Sequence, residues 1–230
     1  MIRDLSAGVW QGDALGAHDY ILSADEKTSI QARLRGHPSL GPGPGRQQRV
    51  EHEYARGGAL QYLAAWDVQR GYVMGRCEPR TGLAPFGRLV AQVREQDPDC
   101  SAPRVFWGVD NGASHRGQAA VRRLLQAYAN AIVVHTPVHA SWLNQVEIYF
   151  SIVQRKVLTP NDFASVEEVA QRLRLYEALS NQQPCPFAWQ FTRAKLAEFL
   201  KRLAAHGAML DHCQTEPDLP KPDQGDLLAA

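Results

Sequence analysis

The chain has 230 residues, 44% of them hydrophobic, with a formal net charge of +1. This is the composition of a soluble globular protein able to bury one large core. No apolar run is long enough to span a membrane, and Met1 to Asp13 lacks a secretory signal, so the expected location is the cytoplasm.

The first expected element is a strand over Tyr20-Ile-Leu-Ser-Ala-Asp25, a short apolar run ending in an acid. His37 to Gly45 is dense in proline and glycine and reads as a loop. Strands are expected over Arg49–Tyr54, Ala59–Trp66 and Gly71–Cys77, forming an antiparallel meander broken at Asp67–Gly71. Helical spacing covers Pro85 to Gln96, with Phe86, Leu89, Val90 and Val93 on one side and Asp97-Pro98 as the stop. Arg104 to Asp110 is a strand that again ends in an acid. A helix over Gly117–Tyr128, a buried strand over Ala131–His135 and a helix over Leu143–Leu158 follow. A helix over Val166–Leu179 starts at Ser165 with Glu168 three residues on, a capping box. The last helix, Thr192–Ala204, takes Thr192 as its cap. Glu216 to Ala230 is rich in Pro, Asp and Gln and lacks the apolar surface to pack.

The expected organisation is therefore a lead-in over 1–18, one domain over 19–205 and a disordered tail over 206–230. Strands first, then alternating helix and strand, then helices, predicts an α/β fold with a mixed sheet flanked by helices. That order fits a ribonuclease-H-like topology without singling it out. Cys77, Cys100, Cys185 and Cys213 lie far apart with no C-x-x-C pair, which argues against a zinc site or disulfide framework. A net charge near zero leaves nucleic acid open as a partner, with any basic rim local.

Two strand-final aspartates, Asp25 and Asp110, can meet where carboxyl ends of parallel strands line a crevice, if their strands are neighbours. Taken singly, each also reads as a turn residue. Leu143, Val146, Phe150, Val153 and Val157 form an apolar stripe, and a polar stripe of Asn144, Glu147, Ser151 and Gln154 lies beside it. This sets Glu147 either over a site or on a solvated helical face. Three convergent carboxylates suit hard Mg²⁺ or Mn²⁺, and two such ions can serve phosphoryl transfer. His115, His135 and His139 either approach that site or hydrogen-bond loops. Arg33, Arg35, Arg46 and Arg49, and Arg116, Arg122, Arg123, Arg155 and Lys156, are candidate phosphate contacts or plain surface charges.

Val109-Asp110-Asn111-Gly-Ala-Ser-His115, followed by His135-Thr-Pro137-Val-His-Ala-Ser141-Trp-Leu-Asn144-Gln-Val-Glu147, resembles the core of bacterial insertion-sequence transposases related to mariner elements. The shared pattern is D-N-x-x-x-H, then P-x-x-x-S-x-x-N-x-x-E, with 36 residues between Asp110 and Glu147. Ala24-Asp25-Glu26-Lys27-Thr28, Glu53–Gly58 and Gln154–Phe163 resemble further blocks of that family. The resemblance implies a ribonuclease-H-like fold and a metal-binding catalytic triad of Asp25, Asp110 and Glu147. It implies two Mg²⁺ or Mn²⁺ ions, with Asn111, His115, Ser141 and Asn144 in support and Arg116, Arg155 and Lys156 on DNA. It further implies element ends and TA-containing target DNA as substrates, and a homo-oligomer on DNA. Gly58-Ala59 departs from the family's usual Gly-Thr, and helix-turn-helix domains are expected ahead of the triad but do not precede Asp25 here. The alternatives are a general ribonuclease-H-like nuclease and a truncated, non-catalytic partner of a full-length transposase.

Overall fold

The computed structural model describes residues 5, 8–96, 101–110, 126–136, 143–188, 198 and 201–202. The chain divides into two compact units, Met1–Phe187 and Ala188–Ala230. Every element named below belongs to the first. Most of the helices expected over Gly117–Tyr128 and Thr192–Ala204, the Asp97-Pro98 stop and the tail over 206–230 lie outside the described residues.

A small hairpin opens the described chain: β1 (Val9–Trp10) and β2 (Asp13–Ala14) pair antiparallel. Its two turn residues, Gln11 and Gly12, both have positive φ, at 52° and 98°, the backbone of a tight hairpin turn. The main sheet is built from β3 (Asp19–Leu34), β4 (Ala55–Asp67), β5 (Val73–Glu78), β6 (Arg104–Val109) and β7 (Ala131–His135), in the order β5-β4-β3-β6-β7. β3 and β4, and β4 and β5, pair antiparallel; β6 pairs parallel to β3, and β7 parallel to β6. The mixed sheet expected from the sequence is the sheet observed.

Strand alternation gives the sheet two packed faces. Leu22 and Ala24 of β3, Leu63 and Ala65 of β4, and Trp107 and Val109 of β6 turn to one face, against α1 (Leu83–Arg94) through its Phe86, Leu89, Val90 and Val93. Tyr62, Ala64 and Trp66 turn to the other, against α2 (Val146–Lys156) and α3 (Val166–Gln182). Ser165 caps α3: its Oγ accepts from Glu168 N at 3.2 Å. The return bond of the expected box lands one residue earlier, with Ala164 N donating to the Glu168 carboxylate at 2.8 Å.

Three expectations need correction. The first strand does not stop at Asp25 but runs on to Leu34. Its period is hidden by a bulge, where the pairing shifts between Lys27 and Ile30 around Ser29, whose φ is 55°. The strand expected over Arg49–Tyr54 is absent; only the isolated bridge Leu40↔Arg49 forms there, and β4 begins at Ala55. Side chains take the backbone instead: Arg35 donates to Glu51 O, and the Glu51 carboxylate accepts His37 N at 2.7 Å. The helix expected from Leu143 begins at Val146, because the Asn144 side chain is drawn to β3.

β5 is a sheet edge, and an edge left bare invites another strand. Here side chains of α3 and α1 cover it. Asn181 Oδ1 accepts from Val73 N at 2.9 Å, and Asn181 Nδ2 donates to Val73 O at 2.7 Å. Glu177 accepts from Gly75 N at 3.0 Å, and Gln92 donates to Gly75 O at 3.1 Å. Asn181→Ala strips both Val73 groups of their partners, so we expect a loss of about 1–3 kcal/mol. The check is urea unfolding, with a lower midpoint and an unchanged slope.

Candidate active site

The parallel pairing of β3 with β6 sets the geometry. Its register ends at Ala24↔Val109, so Asp25 and Asp110 are the residues that directly follow the last paired positions of two neighbouring strands. Asp25 turns toward the start of α2, where the Asn144 side chain meets it, and the charge of Asp110 is felt at Glu147 on the same helix. Asp25 is buried, and the antiparallel partner of β3 places it across from Ala64.

α2 brings the third acid. It is held by Val146, Tyr149, Phe150 and Val153, all buried; Tyr149 stacks on Trp66 at 5.7 Å, and Phe150 meets Tyr62 edge-on at 6.1 Å. A polar clamp then pins the start of the helix to β3. Asn144, 1% exposed, donates from Nδ2 to Ala24 O and to Asp25 Oδ2, both at 3.1 Å. Its Oδ1 accepts from Ser23 Oγ, and Ser23 Oγ in turn accepts from Val146 N at 2.9 Å. Glu26 N reaches the other Asp25 oxygen at 2.7 Å.

Glu147 therefore enters the first turn of α2, where the helix dipole favours an acid. Its side chain keeps solvent contact, yet its carboxyl is pushed above the usual range. Desolvation is the main cause, Lys27 opposes it, and the charge of Asp110 adds to it. The structure thus ties Asn144 to Asp25 and sets Glu147 within electrostatic reach of Asp110 and Lys27. Ser151, one turn on, does not join them: its Oγ donates to Glu147 O at 2.9 Å. Arg155 and Lys156 are exposed in the last turn of α2, about 12 Å along the helix from Glu147. They suit the negative end of the dipole and do not converge on the acids. Asn111, His115, Arg116, His139 and Ser141 lie outside the described residues.

Three neighbours of the acids escaped the sequence reading. Ser23 and Lys27 sit two residues either side of Asp25 and share its face, a period-2 signal hidden while the strand seemed to end there. The third is Thr136. His135 is in register with Val109 and so shares the α1 face, away from the acids, whereas buried Thr136 continues the ladder beside Asp110, its N donating to Val109 O at 2.9 Å.

The carboxylates of Asp25, Asp110 and Glu147 are hard oxygen groups of the kind Mg²⁺ and Mn²⁺ take as ligands. Among the described residues, no three His, Cys, Asp or Glu side chains already converge as a metal cage. The mutual repulsion of Asp110 and Glu147 is the charge arrangement a divalent ion relieves. If Asp110 and Lys27 act on Glu147 as placed, its carboxyl titrates lower in Asp110→Asn and higher in Lys27→Ala. Carboxyl-carbon NMR titration of the metal-free protein checks this, and unchanged values in both variants would contradict the placement.

A family profile described as DDE superfamily endonuclease matches residues 21–170. No curated protein sequence matches the chain. Among solved structures it is similar to the Mos1 mariner paired-end complex with Mn, at 21% identity and a TM-score of 0.51, covering 70% of this chain and 48% of that one. It is also similar to the Mos1 paired-end complex with Mg, at 21% identity and a TM-score of 0.50, covering 72% and 50%. The chain spans about half the length of these solved chains. At this identity the likeness is one of fold, and the five-stranded mixed sheet flanked by helices is ribonuclease-H-like. Among the described residues no helix is long and apolar enough to cross a membrane.

Proposed function

We propose that this chain, which belongs to the DDE superfamily of endonucleases, is the catalytic part of a bacterial insertion-sequence transposase that cuts and joins DNA. The observation that supports the reading is the parallel register of β3 and β6, which end together just before Asp25 and Asp110, with the Asn144–Ser23 clamp tying the start of α2, and so Glu147, to β3. Asp25, Asp110 and Glu147 are proposed to hold one or two Mg²⁺ or Mn²⁺ ions. Bound there, such ions supply the charge that activates an attacking oxygen and stabilises a leaving one. Asp25 is preset for this by Asn144 and Glu26 N, which fix its two oxygens. Lys27, on the same face and without an ion pair among the described residues, offsets the acids before metal enters.

In the first step water attacks a phosphodiester at the element end, breaking the P–O3′ bond and leaving a 3′-hydroxyl and a 5′-phosphate. In the second, that 3′-hydroxyl attacks a target phosphodiester at a TA step, forming a new P–O bond as the target's own 3′-oxygen leaves with a proton. Asn111, His115 and Ser141 are proposed to support the acids, and Arg116, Arg155 and Lys156 to touch DNA. The working form is proposed to be an oligomer on two DNA ends in the cytoplasm.

The test is strand transfer by the purified chain, using a pre-cut end with a free 3′-hydroxyl, a target plasmid, and Mg²⁺ or Mn²⁺. Joined product that depends on metal and on Asp110 supports the reading. Cleavage without joining would instead make the chain a general ribonuclease-H-like nuclease. A folded, metal-binding chain that neither cuts nor joins, but inhibits a full-length transposase, would make it a regulatory partner.

A further inference from the structure

β3 and β4 reach beyond the rest of the sheet. β6 pairs with β3 only as far as Ala24, and β5 pairs with β4 only over Gln61–Trp66, so Ile30–Leu34 and Ala55–Leu60 continue as a two-stranded ribbon. Two bulges shape it. One lies at Ser29; the other lies on β4, where two residues between Ala59 and Arg56 answer one between Gln31 and Arg33, with Gly58 at φ 101°. One face of the ribbon is core: Ile30, Ala32 and Leu60 pack with Phe163 and Val166. The other face carries Gln31, Arg33, Ala59 and Arg56.

On that outer face Arg33 and Arg56 are directly paired across the two strands. Like charges in this position repel and destabilise a sheet. Among the described residues neither arginine has a carboxylate partner, and the buried Nε of Arg33 has no acceptor. Arg56 is exposed. Arg33 lies over the ring of Tyr54 at 4.7 Å, which is 37% exposed at the end of the ribbon. Arg35 differs: it is buried and tied to Asp162 at 2.6 Å, so it holds the loop in place. From Arg33 to Arg56 the sequence holds five arginines and two glutamates, a balance of +3 in a chain whose total is +1. Of those glutamates Glu51 is engaged with His37 at 3.1 Å, and Glu53 is exposed.

We propose that this outer face is a contact for the phosphate backbone of duplex nucleic acid, with Arg33 and Arg56 as the phosphate ligands and Tyr54 bracing Arg33. An unneutralised cationic pair, held rigid on a ribbon, matches a polyanion in charge and is relieved of its own repulsion when phosphates sit between the guanidiniums. Arg33 lies eight residues along β3 from Asp25, roughly 25 Å at strand rise. It also lies on the opposite face of the strand, so the surface grips a duplex segment away from the acids. The inference rests on the reading of DNA as substrate, but it makes its own prediction.

The test is binding of the full chain to a 40-base-pair random duplex by fluorescence anisotropy, without divalent metal, from 50 to 200 mM KCl. Arg33→Gln with Arg56→Gln should weaken binding roughly tenfold and flatten the salt dependence of log K by about 2, one per lost phosphate contact. Arg33→Lys with Arg56→Lys should restore the slope. Arg56→Glu, a change at an exposed position that leaves the core untouched, should weaken binding more than Arg56→Gln. An unchanged slope in the folded double variant overturns the proposal, and so does a wild-type chain that fails to bind duplex at 50 mM. Either failure leaves the catalytic reading standing if metal-dependent cleavage still vanishes in Asp110→Asn. Salt-dependent binding through the two arginines without any cleavage would do the reverse.

Discussion

Asp110→Asn is expected to abolish metal-dependent cleavage and joining, by roughly a thousandfold or more. It should do so without cost to the fold. Asn keeps the size of Asp, and the position follows the last residue of β6, so no ladder bond of the strand is lost. The electrostatics point the same way. Glu147's carboxyl is raised first by desolvation and further by Asp110, with Lys27 opposing. A carboxyl raised on folding binds its proton more tightly folded than unfolded. Its contribution is therefore most favourable at low pH and declines as pH rises from the ordinary glutamate value through the raised one. At neutral pH the charged Glu147 stands as a small penalty that Asp110 increases. Removing the Asp110 charge should leave Tm unchanged or raise it by about 1 °C. Activity assays and thermal melts on the same preparation decide this. A drop of many degrees would mark Asp110 as a structural residue and strip the lost activity of its meaning.

How much of this was legible beforehand differs from residue to residue. The core strands and helices were, since Leu22, Val90, Trp107 and Val153 keep the spacing of their elements and are all buried. Ser165 announced the start of α3 and caps it. The full length of β3 was not legible, because a bulge adds one residue and shifts the apolar set out of step beyond Lys27. Arg49–Tyr54 alternates like a strand, yet its backbone is taken by the Arg35 side chain at Glu51 O and by an isolated bridge from Leu40 to Arg49 rather than by a ladder. For the site, periodicity could place Glu147 on a helix edge but could not say which strand it faces. That depends on the order β4-β3-β6, a long-range pairing that no local pattern encodes. The partnership of Asp25 with Asn144 spans 119 positions, and Ser23, its other anchor, looked like an ordinary polar residue in an apolar run.

That partnership yields the second large effect. Asn144→Ala removes three hydrogen bonds at once, to Ser23 Oγ, Ala24 O and Asp25 Oδ2, at a position that is 1% exposed. A buried acceptor left without its donor costs about 1–3 kcal/mol, and here Ala24 O and Asp25 both lose one. Ser23 Oγ keeps its bond from Val146 N, so the helix start stays tethered by one link. We expect a loss of about 3 kcal/mol in total, enough to lower Tm clearly but short of unfolding a domain of ordinary stability. The effect on function follows from position. With the amide gone, Asp25 keeps the bond from Glu26 N but loses the one that ties it to the start of α2, and partners that orient metal ligands are typically worth ten- to a hundredfold in metal affinity or activity. The expected signature is a ten- to hundredfold rise in the Mg²⁺ or Mn²⁺ concentration needed for half-maximal cleavage. Saturating metal should recover part of the rate, as it would not in Asp110→Asn. A merely structural role predicts something else: lower stability, an unshifted metal titration, and full activity per folded molecule. Measured together, the metal titration and the unfolding midpoint separate a residue that positions the acids from one that only holds the helix.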